Sequence, residues 1–142
     1  MKLSVFRFPF STLINFPFSV FNFIKMSAGI LMQKSKTFAV RIVRFAKFLQ
    51  EDKREYIISN QIFRSGTSIG ANVRESNNAQ SKADFVNKLS IALKEADETA
   101  YWLELLVESD IIDKQQFNSM YDDLKEIIAL LTSSIKTAKN NK

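Results

Sequence analysis

Apolar residues recur at helical spacing from just after Met32 to the end of the chain. Phe38, Ile42, Phe45 and Leu49 follow one another at 4, 3 and 4 residues, which puts them on one face of a helix over about 34–50. Ile58, Ile62, Gly66, Ile69 and Val73 do the same for a second helix, about 53–77. Phe85, Leu89, Ala92, Ala96, Leu103 and Leu106 mark a third, running to about Ser109. Phe117, Tyr121, Leu124, Ile128, Leu131, Ile135 and Ala138 alternate 4 and 3 along a fourth, about 114–139, the seam pattern of a bundle. Three start signals punctuate these runs: Asp52 with Glu55, Ser81 with Asp84, and Asp113 with Gln116. Each is a capping-box pair, the first side chain accepting from a free N–H and the second reaching back.

No Pro follows Pro17 and no Gly follows Gly70, as an all-helical chain allows and a β-rich one rarely shows. The links between helices are a few residues each, so consecutive helices must pack antiparallel. The expected fold is all-α, an antiparallel up-and-down four-helix bundle.

Residues 1–31 break this pattern. They hold both prolines, Pro9 and Pro17, and 7 of the 13 Phe. Three readings stand. The segment lies upstream of a start at Met26 or Met32; it is signal-like, with Lys2 and Arg7 ahead of apolar residues and Ser27-Ala28-Gly29 as a cleavage hint; or it touches a membrane. The prolines argue against a spanning helix. The domain is therefore expected to be 32–142, with 1–31 an extension not needed for folding and no membrane partner for 32–142.

Chemistry is bounded by absences. With 0 Cys and 0 His among 142 residues, disulfides, a Cys nucleophile, a His base and the usual zinc or Glu-x-x-His carboxylate sites are excluded. No acid–base or nucleophile–base pair can be assembled, so no catalytic residue, metal, cofactor or small-molecule substrate is expected. Charge is uneven: residues 1–50 hold 8 basic and no acidic residues, while the other 12 basic residues share the chain with all 15 acidic ones. Lys34, Lys36, Arg41, Arg44 and Lys47 form the basic set of helix one, of which Lys34, Arg41, Arg44 and Lys47 are the candidate nucleic-acid contacts. The bland alternative is a solvated charged face. Aromatic stacking platforms are not evident.

Helix two carries a polar ridge beside its apolar one: Gln61, Ser65, Ser68 and Asn72, flanked by Arg64 and Glu75. Gly66 and Gly70 inside a helix cost about 1 kcal/mol each relative to Ala, which is tolerated where another backbone comes close. Lys94, Glu95 and Glu98 of helix three are the natural partners, either in a buried ion-pair network or as a polar ligand site. Helix three is also apolar around most of its circumference near Tyr101, Trp102 and Leu105, a surplus that suits a subunit interface as well as a thick core.

The run Gln61-Ile-Phe-Arg64-Ser65-Gly-Thr-Ser68-Ile69-Gly-Ala-Asn72-Val-Arg-Glu75 resembles the signature of the four-helix-bundle proteins encoded in 23S rRNA intervening sequences. So does Phe85-Val-Asn-Lys-Leu89-Ser-Ile-Ala92-Leu-Lys-Glu95-Ala-Asp-Glu98-Thr-Ala-Tyr101-Trp102-Leu103. The likeness spans about 35–139; Ser76-Asn77-Asn78 stands where the family usually has a Gly-type turn. The resemblance implies a bacterial, cytoplasmic, ring-like homo-oligomer, typically a pentamer, with no known enzyme activity. A related accessory protein of diversity-generating retroelements shares the bundle and binds nucleic acid. Two functions follow: an oligomeric RNA- or DNA-binding accessory protein, or a protein-interaction scaffold with no nucleic-acid role.

Overall fold

The computed structural model describes residues 17–141, apart from the Phe21 side chain. It holds four helices: α1 (Phe18–Glu51), α2 (Ile57–Ser76), α3 (Lys82–Glu108) and α4 (Lys114–Asn140). Each packs on its neighbours in sequence, and α1 closes the square against α4, the least extensive of the four seams. Short links at 52–56, 77–81 and 109–113 turn the chain between helices, so the fold is the expected up-and-down bundle.

Two of the three start signals act as read. Ser81 accepts a hydrogen bond from the Asp84 N–H. Asp113 and Gln116 form the full reciprocal box, at 2.7 and 3.0 Å. The first signal is different. Asp52 belongs to the C-terminal end of α1, its N–H bonded to the Phe48 carbonyl. The chain turns at Arg54, in the left-handed region at φ 53°, and Glu55 alone caps α2. Its carboxylate accepts from the N–H groups of Ile57, Ile58 and Ser59 at 2.8–3.0 Å. Three donors converging on one anion at a helix start outweigh a reciprocal pair, so α2 begins at Ile57 rather than Lys53.

The larger departure is at the N-terminus. α1 starts at Phe18, immediately after Pro17, and not near Lys34. Its buried face reads Ile24, Ser27, Leu31, Ser35, Phe38, Ile42, Ala46 and Leu49, an unbroken run of 3- and 4-residue steps. Serines at two of these positions, amid many phenylalanines, hide the repeat from an apolar pattern. Ile24, Ala28 and Leu31 meet Val73, Phe85, Leu89 and Ser134 around a cavity of about 10 Å³, smaller than or barely equal to what a water needs. The boundary expected at Met32 thus falls inside α1; the part of the extension before residue 17 lies outside the described residues.

The seam of α4 is also rotated from its expected position. The buried positions are Met120, Leu124, Ile127, Leu131, Ser134 and Ala138. Phe117, Tyr121, Ile128 and Ile135 are half-buried and pack on the edge of the core.

Ile24 and Leu31 are both about 1% exposed, and burying such a side chain is worth about 1.5–3 kcal/mol. A chain beginning at Met32 should therefore unfold at lower urea concentration, with stability reduced by about 3–6 kcal/mol. An unchanged midpoint would show that residues before Met32 add nothing to the fold.

Candidate nucleic-acid interface and polar seam

The basic face of α1 divides into two sets. Lys34 and Arg41 point toward α4. Lys34 is bonded to Glu126 at 2.7 Å, and this hydrogen bond, with the Glu126 charge, raises its pKa. Arg41 binds the Asp123 carboxylate, the Ser119 carbonyl at 3.0 Å and the Ser119 hydroxyl at 2.7 Å. Both cations are thus matched within the chain and hold the α1/α4 seam. Lys36, Arg44 and Lys47 lie on the outer side. All three are exposed, and Lys47 meets only Glu51, one turn on, at 3.9 Å. The spacing of the five cations does not separate the two sets, because the acidic row of α4 that claims Lys34 and Arg41 is brought alongside only by the topology.

The polar ridge of α2 is drawn together in part. Ser65, fully buried, receives a hydrogen bond from the Thr99 hydroxyl of α3 at 2.9 Å. Arg64 reaches Glu98 at 2.5 Å and Glu95 at 3.4 Å, and the Trp102 indole N–H donates to the same Glu98 at 3.2 Å. Of the rest, the flanking Glu75 also reaches α3, where it meets Lys88 at 3.9 Å. The Ser68 hydroxyl donates to the Arg64 carbonyl and the Asn72 amide to the Ser68 carbonyl, both within α2. Gln61 and Lys94 are exposed. Thr99 went unread in the sequence because a lone Thr in an apolar stripe gives no signal until Ser65 faces it.

The Arg64 network is not buried. The Arg64 side chain is 53% exposed and those of Glu95 and Glu98 19% and 33%, because the long guanidinium stem carries the charge out along the seam. The Arg64 hydrogen bond holds the Glu98 carboxyl below its usual pKa, with burial working weakly against it. A lowered carboxylate pKa contributes stability above its unfolded value and loses it as pH falls through the folded value.

The two helical glycines act on the other side of α2. A Cβ on Gly70 would lie 3.3 Å from the Ser35 carbonyl oxygen of α1, and one on Gly66 would meet the Ile42 side chain at 2.7 Å. The close neighbour is α1, not α3. On the outer surface of α3, Tyr101 is 55% exposed and packs edge-on to Trp102 at 5.0 Å. Leu105 and Trp102 are half-buried. Ile57 of α2, missed in the sequence because it lies outside the apolar ridge, is 79% exposed. Among the described residues, no group of acidic side chains is placed to hold a metal ion, and no helix is long and apolar enough to cross a membrane.

Replacing Arg64 by Gln should lower stability by no more than about 1 kcal/mol, the range of exposed pairs. The loss should be present at neutral pH and vanish as acid protonates Glu98. A loss several-fold larger, or one that persists in acid, would mean that the pair is not what Arg64 contributes.

The family model for the 23S rRNA-intervening sequence protein matches residues 29–133. A crystal structure of a protein of unknown function from the S23 ribosomal protein family of Bacteroides thetaiotaomicron VPI-5482 is 55% identical. It aligns over 78% of this chain and 98% of that one, with a TM-score of 0.77. No curated protein matches the chain. With the signature residues of α2 and α3 in place and the match spanning parts of all four helices, this chain belongs to the 23S rRNA-intervening sequence protein family.

Proposed function

We propose that this protein is a cytoplasmic, non-enzymatic homo-oligomer that binds RNA or DNA through the outer face of α1. The observation that carries this reading is the exposed trio Lys36, Arg44 and Lys47. These cations lie in the first third of the chain, which contains no carboxylate before Glu51, and only Lys47 has a pair, with Glu51, whereas Lys34 and Arg41 are engaged by α4. Repetition around an oligomer multiplies such a face into a field that attracts phosphate. The family description, with its link to rRNA, is consistent with that partner.

The oligomer surface we assign is the outer face of α3 at Tyr101, Trp102 and Leu105. Exposed apolar and aromatic side chains in one patch are what subunit contacts use. The protein-interaction scaffold is the second reading, favoured by Val40, Val43 and Phe63, each 44–45% exposed on α1 and α2.

Two measurements test this. Binding to RNA and to DNA should weaken linearly in log salt, and replacing Lys36, Arg44 and Lys47 by Gln should flatten that slope by roughly 0.7–0.9 per lost phosphate contact. Absence of binding to any RNA or DNA at low salt leaves the scaffold reading. Light scattering should give a multiple of the 16.3 kDa chain mass, a pentamer being the state the resemblance implies. Leu105→Glu should reduce it to a monomer while helicity is kept. A monomeric unmodified protein at micromolar concentration overturns the oligomer.

A further inference from the structure

The α1/α4 seam is the least extensive in the bundle, and near the C-terminal end of α1 it opens into a cleft of about 340 Å³ lined by Arg41, Phe45, Phe48, Gln115, Gln116, Ser119 and Met120. That volume is within the range of small-ligand sites, which join apolar walls to a few placed polar groups. Phe45 and Phe48 are half-buried, with ring centroids 6.2 Å apart and planes inclined by 29°. Lys53 of the same chain sits over the Phe48 ring, 5.9 Å from its centroid, which places a cation against one face of this ring. The buried side chain of Met120 closes the bottom.

The polar groups at the mouth are both donors and acceptors. Gln115 is exposed and offers a free amide. Gln116 spends its carbonyl oxygen on the Asp113 N–H, leaving its NH₂ to donate. Arg41 is clamped by Ser119 and Asp123, which makes its planar guanidinium a fixed wall. Around this mouth stand Arg44, one helical turn before Phe48, and Lys53. A ligand that suits the set is flat and aromatic, carries hydrogen-bonding edges, and is attached to something negatively charged.

We infer that the Phe45/Phe48 cleft between α1 and α4 takes an unpaired base of a single-stranded nucleic acid, with Arg44 and Lys53 beside its phosphates. This rests on the reading that the protein binds nucleic acid, and adds to it that bases as well as phosphates are gripped. Stacking of a base on an aromatic side chain is sequence-tolerant, since every base has a π-face. The sequence could not reveal the platform: both phenylalanines fall at or beside core positions of α1, and Gln115, Gln116, Ser119 and Met120 of α4, which complete the cleft, are brought opposite them by the topology.

The full-length protein should be titrated, at one salt concentration, with a short single strand and with an abasic strand of the same length, in both the ribo and deoxyribo series. Stacking is worth about 1–3 kcal/mol per base, or roughly 5- to 150-fold, so in at least one series the base-bearing strand should bind tighter than the abasic one by that factor. Phe48→Leu, which keeps an apolar side chain in the wall, should remove most of this gain and leave abasic binding and its salt slope unchanged. Gln115→Ala, at an exposed position that cannot disturb the core, should lower the base-dependent gain about threefold or more, the loss of one net hydrogen bond. Equal affinity for base-bearing and abasic strands overturns the cleft while the electrostatic reading stands. So does a gain that survives both substitutions. If neither strand binds, both readings fall.

Discussion

Everything in this bundle follows from the narrowness of α2. It is the shortest helix, at 20 residues, and it must lie against α1 on one side and α3 on the other. Toward α1 it presents Gly66 and Gly70, and at Gly70 the Ser35 backbone is so near that a methyl group would stand 3.3 Å from its carbonyl oxygen. Toward α3 it presents Ser65, small enough for the Thr99 hydroxyl to reach it at 2.9 Å in the dry interior. Two glycines cost helix propensity, and a buried hydroxyl pair must be mutually satisfied. Both conditions are met: no buried side-chain N or O among the described residues lacks a hydrogen-bond partner.

A closely packed three-helix side leaves the fourth seam to be closed differently. α1 and α4 meet at the core edge around Phe38 and Ile127, and outside it through Lys34–Glu126 and Arg41–Asp123. These long side chains span a gap that small residues cannot, and clefts of about 290 and 340 Å³ flank the Arg41 bridge. Tight packing at α1/α2 and α2/α3 and an open groove at α1/α4 are two results of one distribution of side-chain size.

How much of this the sequence disclosed depends on whether the signal was local. The four helices, their antiparallel order, the Ser81 and Asp113 caps and the pairing of Arg64 with Glu95 and Glu98 were legible, because spacing within one helix or across a short turn determines them. The start of α1 was not. Ser27 and Ser35 are buried polar residues at core positions, Ser35 against Gly70, so a hydrophobic pattern skips them. The rotation of the α4 seam was hidden for a related reason: Phe117, Tyr121, Ile128 and Ile135 form a second ridge as regular as the buried one. The division of the α1 cations into those held by α4 and those facing outward required knowing which residues of α4 lie opposite.

That division also decides what a salt titration can report. Lys34 and Glu126 are 43% and 60% exposed, and Arg41 and Asp123 33% and 45%. Pairs this open contribute little and are screened as ionic strength rises. Each fully buried apolar side chain of the same seam contributes about 1.5–3 kcal/mol that salt does not screen. Raising salt therefore loosens the bridges without opening the core, and the bundle stays folded through the range in which counterion release weakens phosphate binding. A fall in affinity over that range reads contacts made by Lys36, Arg44 and Lys47 rather than loss of the fold. Any affinity that persists at high salt must then come from groups that carry no charge, and on the α1/α4 side those are the rings of Phe45 and Phe48 and the amides of Gln115 and Gln116.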